Sequence, residues 1–165
     1  MMRFIPYFLY LLLIAFYRTN LIGLLSIGAV EIYLTALIVL LVALNKDSLT
    51  TLWFSLAAGL IYDAPDPSHL GVHMLILMVL GLAASHAKER LNLDSITSRL
   101  LLVLSGLFVY TLPYILIYAT SGTSEFFRLL IRVALPSVLY SAVLGWLYFM
   151  FQTGRLSYAR LKSIF

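Results

Sequence analysis

Cysteine is absent from this chain of 165 residues, and only 11% of its residues are charged. The lack of cysteine excludes disulfides and thiolate-bound metals. The lack of charge, beside a hydrophobic content of 62%, excludes an ordinary soluble domain, because soluble chains are about 25% charged. The net charge of +4 indicates no nucleic-acid partner, since the basic residues lie at the ends of apolar runs, where they set topology and meet lipid headgroups.

The chain is built instead from six apolar runs separated by short polar turns, without the alternation of period two that indicates a β-barrel. Only helices and closed barrels satisfy the backbone in lipid. We therefore predict an all-α integral membrane protein with about six transmembrane helices in one compact bundle, a single multi-pass domain over residues 1–165. The predicted helices lie at about 4–25, 29–44, 49–62, 70–87, 100–119 and 126–151, and a basic amphipathic tail at 152–165 is expected to lie on the inner leaflet.

The boundary between the first two helices has two candidate positions. A break near Ser26 to Gly28 places Glu31 at the start of the second helix, close to a membrane face. It leaves Arg18 inside the first helix, where the side chain must snorkel. A break at Arg18 to Asn20 places Glu31 near mid-helix, at a cost of about 2.5–3.5 kcal/mol. The first position is therefore favoured.

Loop charges predict the orientation, because cytoplasmic loops carry an excess of Lys and Arg. Eight of the 11 basic residues fall on one side of the predicted helices and three on the other. The first group is Arg3, Lys46, Lys88, Arg90, Arg99, Arg155, Arg160 and Lys162, and the second is Arg18, Arg128 and Arg132. Both termini are expected to be cytoplasmic, and the turn from residue 63 to 71, which has no Lys or Arg, is expected to face outward.

That turn contains the most informative acidic residue of the chain. Asp63 lies at the C-terminal end of the third predicted helix, where the helix dipole disfavours an anion by about 0.3–1 kcal/mol. Two interpretations stay open. Asp63 is either a turn-forming residue whose oxygen accepts local backbone N–H groups, or a polar contact to a partner outside the membrane.

Histidine and serine residues offer no recognisable catalytic or metal site. His69 and His73 lie four apart and close to Asp63 and Asp66, a set that can bind a divalent cation. The proline-containing turn between the carboxylates and His73 argues against one helix face that presents both histidines. No serine lies in a Gly-x-Ser-x-Gly elbow. We predict a protein that is not an enzyme and has no metal or cofactor.

Small residues cluster on two predicted helices, at Ser55 to Gly59 and at Gly81 to Ser85. Such patches let helix backbones approach closely in lipid. Packing within the bundle is the default expectation, and docking of a partner helix is the alternative.

The run Gly59-Leu60-Ile61-Tyr62-Asp63, with Leu70-Gly71 opening the next apolar helix, resembles the signature of the rod shape-determining protein MreD family. In that family a glycine, three apolar residues and an aspartate end the third helix, and a Ser-Pro-Leu-Gly-like turn begins the fourth. The segment Ser68-His69-Leu70-Gly71 matches that turn, with His69 in the usual proline place. The family's Arg-Pro-Asp at the start of helix two is Ala29-Val30-Glu31 here, which keeps only the acid. The matching motifs cover roughly residues 29–90.

The resemblance implies a non-enzymatic scaffold in the bacterial inner (cytoplasmic) membrane that belongs to the cell-elongation machinery. It implies a contribution to rod cell shape and to the regulation of peptidoglycan synthesis. The expected direct partner is MreC, and the expected indirect partners are MreB, RodZ and RodA with its transpeptidase. The resemblance also implies a fold similar to the substrate-binding subunits of energy-coupling-factor transporters.

The residues expected to bind the partner are Asp63, Asp66, Glu31, Gly59 and Gly71, acting together with the small-residue patches. The alternative function is a small-solute transporter subunit of the vitamin type, with a ligand pocket under the turn. Buried polar groups that converge on a cavity would distinguish a transporter from a scaffold, and the sequence is poor in such groups.

Overall fold

The computed structural model describes residues 5–26, 30–65, 70–91, 93, 95–118 and 123–162. Every regular element in these ranges is helical. The first helix, α1, consists of the α-helix Ile5–Phe16, a π-helical turn Tyr17–Leu21 and a final turn Ile22–Leu25. The next four are α2 (Leu34–Asn45), α3 (Ser48–Asp63), α4 (Val72–Arg90) and α5 (Ile96–Tyr118). The last, α6, consists of Thr123–Leu129, a π-helical turn Leu130–Ala134 and the long α-helix Leu135–Lys162.

The predicted number of helices is confirmed over the described residues, and three helical segments are long and apolar enough to cross a membrane. These segments are Val72–Arg90, Ile96–Pro113 and Phe126–Gln152. Leu34–Asn45 is a shorter apolar helix. At the C-terminal end, α6 continues as one helix to Lys162, and the position of the 152–165 tail on the inner leaflet stays a prediction.

The second helix lies at the centre of the fold. It packs against each of the other five helices, and eight of its 12 residues are buried. The helices α1, α3, α4, α5 and α6 surround it, with α3 and α4 forming the most closely packed pair. Large apolar side chains on the opposite faces of the surrounding helices are exposed, among them Phe8, Trp53, Val79 and Phe151. An apolar perimeter of this kind suits lipid rather than water.

The start of α2 differs from the prediction. Residues 29–33 were predicted to be helical, but α2 begins at Leu34, and the residue before it, Tyr33, has a non-helical ψ of 57°. Two serines of α6 explain how the backbone is paired without a helix. The hydroxyl of Ser137 accepts the N–H of Glu31 at 3.0 Å, and that of Ser141 accepts the N–H of Tyr33 at 2.8 Å. These bonds replace the pairing that helical geometry would have supplied.

A third side chain pairs the carbonyl of Ile32, which lies between Glu31 and Tyr33. The buried hydroxyl of Tyr17, at the first residue of the π turn in α1, donates to the Ile32 carbonyl at 2.5 Å. A helix of 12 residues is about 18 Å long, and four non-helical residues reach up to about 13 Å further. The two together match the hydrocarbon thickness of about 30 Å. Non-helical backbone at that depth is tolerated where protein groups satisfy it.

The small-residue patches lie inside the bundle, between α3 and α4. Ser55, Ala58, Gly81, Ala84 and Ser85 are all buried. A Cβ placed on Gly81 would lie 3.3 Å from the Ser55 hydroxyl, so the two patches face each other. The default expectation of packing within the bundle is confirmed for these buried residues, and docking of a partner helix stays a prediction.

Removal of the Ser141 hydroxyl is expected to destabilise the protein. Ser141→Ala leaves the N–H of Tyr33 without its acceptor, and a buried unpaired donor costs about 1–3 kcal/mol. Ser105→Ala is the matched control, because the Ser105 hydroxyl bonds to the Leu102 carbonyl of its own helix and its side chain is exposed. Thermal unfolding in detergent measures both, and equal stability of the two variants would contradict the pairing role.

Candidate functional site

Asp63 caps the helix that follows it. The residue is 2% exposed, and its Oδ2 accepts the N–H groups of Gly71 and Met74 at 2.9 and 3.2 Å. These two residues are the N-cap and the third residue of α4, whose first N–H groups have no partner within the helix. Bonds to a charged acceptor contribute about 1.5–3 kcal/mol each, which exceeds the dipole penalty of about 0.3–1 kcal/mol at the end of α3.

Gly59 and Gly71 set how closely the end of α3 and the start of α4 approach each other. A Cβ on Gly59 would lie 2.3 Å from Cα and 2.7 Å from N of Met74, so α3 and α4 cross too closely for any side chain there. Gly71 has φ of +96°, the only positive φ among the described residues, and this left-handed geometry favours glycine. The three residues that carry the family resemblance therefore fix one structural corner.

His73 connects Asp63 to a cluster of side chains that also contains Tyr62, Arg18 and Tyr110. Its Nδ1 lies 2.7 Å from Asp63 Oδ1, and its ring centre lies 4.6 Å from that of Tyr62. On Tyr62, the guanidinium carbon of Arg18 lies 4.4 Å from the ring centre. A cation over an aromatic ring contributes about 0.5–2 kcal/mol. Arg18 is half-buried and stacks on α3, and the expectation that it snorkels to the membrane surface stays a prediction.

Beside the cluster lies a small cavity of about 50 Å³. It is lined by Glu31, Tyr33, Tyr62, His73, Tyr110, Thr111 and Val133. Polar groups from the α1–α2 connection, α3, α4 and α5 do converge here. The volume holds a few water molecules and is far below the roughly 300–1,000 Å³ of small-molecule pockets.

The structure brings together four of the five residues expected to bind a partner. Asp63, Gly59 and Gly71 form the corner, and the exposed Glu31 lines the adjacent cavity. Asp66 lies outside the described residues, as does His69. No group of three metal-binding side chains occurs in the part of the chain that is described. The role of these residues in partner binding stays a prediction, and Asp63 makes its bonds within the protein.

Sequence reasoning missed the residues that complete the cluster. Arg18, Tyr62 and Tyr110 come from three helices, and their contacts depend on tertiary packing. Tyr62 ends an apolar run and could have been noticed there, whereas Tyr110 lies in the middle of one. Ser137 and Ser141 also lie four apart, on one helix face.

Substitution of Gly59 is expected to separate α3 from α4. Gly59→Ala places a methyl group against the Met74 backbone, which cannot rotate away, and overpacking costs about 1–3 kcal/mol or more. Gly23→Ala is the control, because nothing lies within 4 Å of a Cβ at Gly23. The free energy of unfolding should fall in the first variant and not in the second. Equal values would show that the crossing is looser than described.

Loss of the Asp63 carboxylate is expected to weaken the start of α4. Asp63→Ala leaves two N–H groups unpaired and should cost more than Asp63→Asn, which keeps one acceptor oxygen. Asp47→Ala is the control. Asp47 is the exposed N-cap of α3, and its carboxylate accepts the Thr50 N–H at 3.1 Å. Such caps contribute about 1 kcal/mol. Hydrogen exchange at the first turn of α4 should rise most in Asp63→Ala. A larger effect of Asp47→Ala there would contradict the long-range cap.

Comparison with known proteins agrees with the corner motif. The chain matches the family model described as rod shape-determining protein MreD over residues 2–153. No match was found among the curated proteins or among the solved structures, so the expected similarity to energy-coupling-factor transporter subunits stays a prediction. The family match extends from α1 into α6 and includes the whole corner. This chain belongs to the MreD family of rod shape-determining proteins.

Proposed function

We propose that this chain is a non-catalytic scaffold that binds MreC at the α3–α4 turn and thereby helps to regulate rod shape and peptidoglycan synthesis. Membership of the MreD family establishes the coarser role in rod shape determination. The observation that carries the finer proposal is that Gly59, Asp63 and Gly71 hold the end of α3 and the start of α4 together. A partner surface needs a fixed backbone, because ordering a loop on binding costs affinity.

The turn also presents side chains that the protein itself does not cover. Ala64, Pro65 and Leu70 are exposed, the last by 58%. Asp63 lies directly behind them and holds the backbone without being part of the contact surface. In this proposal Asp63 acts on the partner through the shape of the turn, and Leu70 supplies an apolar contact.

The orientation of the protein belongs to the same proposal. The excess of Lys and Arg on the other side of the helices favours cytoplasmic termini and an outward-facing turn in the inner membrane. MreC would then be met at the outer surface. MreB, RodZ and RodA with its transpeptidase would be reached through the assembly rather than by direct contact.

The size of the polar cavity disfavours the transporter alternative. Convergent polar groups are present, but about 50 Å³ cannot enclose a vitamin-sized ligand. The scaffold therefore remains the better account of the corner.

Recovery of MreC with the tagged protein, solubilised from native membranes in mild detergent, tests the proposal. Leu70→Glu should lower the recovered MreC roughly tenfold, since a tenfold change in affinity is about 1.4 kcal/mol and burial of a leucine contributes about 1.5–3 kcal/mol. Leu91→Glu is the matched control. Leu91 is 54% exposed and follows the opposite end of α4, and acidic residues contribute little to topology.

Mass spectrometry of the protein and small-molecule fractions decides the outcome. Loss of MreC with Leu70→Glu alone supports the contact at the turn. Equal recovery with both variants places the contact elsewhere. A co-purified metabolite with an ATPase module, and no MreC, would replace the scaffold by the transporter.

A further inference from the structure

A second, larger cavity lies at the opposite end of the bundle. This cleft has a volume of about 460 Å³ and lies between α1 and α6, with α2 as its floor. Its walls are almost entirely apolar and aromatic, with Tyr10 and Leu13 on α1 and Leu144 and Tyr148 on α6. Along the floor it follows α2 from Leu34 to Lys46. The cleft shares no lining residue with the polar cavity beside the corner.

The end of the cleft near the α2 C-terminus is positively charged. Lys46 is exposed, and its Nζ lies 5.8 Å from the ring centre of Tyr7. Lys88 donates from Nζ to the carbonyl of Lys46 at 2.8 Å, which brings a second cation to the same turn of chain. The neighbouring carboxylate, Asp47, faces the first turn of α3, where it accepts from Thr50. Lys46 is the cation that lines the cleft itself, so an anion at the mouth meets that ammonium group.

We propose that this cleft binds one acyl chain of an anionic phospholipid, with the phosphate group held at Lys46. The length of the floor fits, because the 12 residues of α2 extend about 18 Å and one leaflet occupies about half of a 30 Å hydrocarbon core. The lining also fits, since apolar walls suit an acyl chain and a lysine at the membrane surface attracts anionic headgroups. Tyr7 and Tyr148 suit the interface between the two, where tyrosine is enriched.

A lipid fits this space better than a partner helix does. A transmembrane helix about 10 Å wide and 30 Å long has a volume on the order of 2,000 Å³, several times that of the cleft. A helix could insert only a ridge of side chains. The cationic mouth also gives a phosphate group a counter-charge that an apolar helix lacks.

Lipid binding is measured by native mass spectrometry of the full chain in detergent, titrated with phosphatidylglycerol and, separately, with phosphatidylcholine of the same acyl chains. The wild-type protein should retain one phosphatidylglycerol and bind it several-fold more tightly than phosphatidylcholine. Lys46→Gln should reduce phosphatidylglycerol binding roughly fivefold with little effect on phosphatidylcholine. Arg90→Gln, which removes an exposed cation at the end of α4, should leave both unchanged.

Filling the cleft tests the acyl-chain site separately from the charge. Leu144→Trp should reduce binding of both lipids roughly tenfold, whereas Leu147→Trp, at a 40% exposed position of the same helix, should not. If Leu144→Trp lowers the unfolding temperature, Leu41→Phe repeats the test, because Leu41 lines the same cleft from α2. Unchanged lipid binding in Leu144→Trp and Leu41→Phe would overturn the proposal. So would a mass spectrum in which the protein retains a single-span membrane protein and no lipid.

Discussion

The requirement that every main-chain polar group in lipid be paired governs this structure. Helices meet that requirement by themselves, but the described residues before α2 and before α4 depart from helical geometry at the same end of the bundle. Before α2, the hydroxyls of Ser137, Ser141 and Tyr17 pair the backbone of residues 31–33. Before α4, the Asp63 carboxylate does so. In each case the side chain comes from a different helix, so local pairing also fixes tertiary position.

The need to pair main-chain polar groups also explains why residues that mark a protein family can have a structural role. Gly59, Asp63 and Gly71 resemble a functional motif in sequence, and in the structure they act as a contact point, a cap and a left-handed turn. Under the proposed function, such a motif acts on a partner through the surface that it holds in place. A substitution of Asp63 would then change both stability and partner binding, whereas a substitution of the exposed Leu70 would separate the two.

Sequence patterns predicted the helices well, because apolar runs of this length have few alternatives in lipid. One of the two interpretations of Asp63, a residue whose oxygen accepts backbone N–H groups, matches its bonds to Gly71 and Met74. The predicted start of α2 was wrong. The apolar pattern continues before Leu34, and only contacts with α1 and α6, which are distant in sequence, pair the backbone of residues 31–33 differently. Arg18 stacked on Tyr62 was equally unpredictable, since spacing along a chain carries no information on which helices are neighbours.

The serine bonds to residues 31 and 33 fasten α6 to the lead-in of α2 at one end of the bundle, while at the other end the cleft separates α6 from α1. Beside the cleft, α6 still packs against α2 and α5, where a Cβ on Gly145 would lie 3.2 Å from Leu37 and 3.5 Å from Val103. The cleft is therefore a gap on one side of a helix that is held on its other sides, and its width is set by the packing of α6 on α2 and α5.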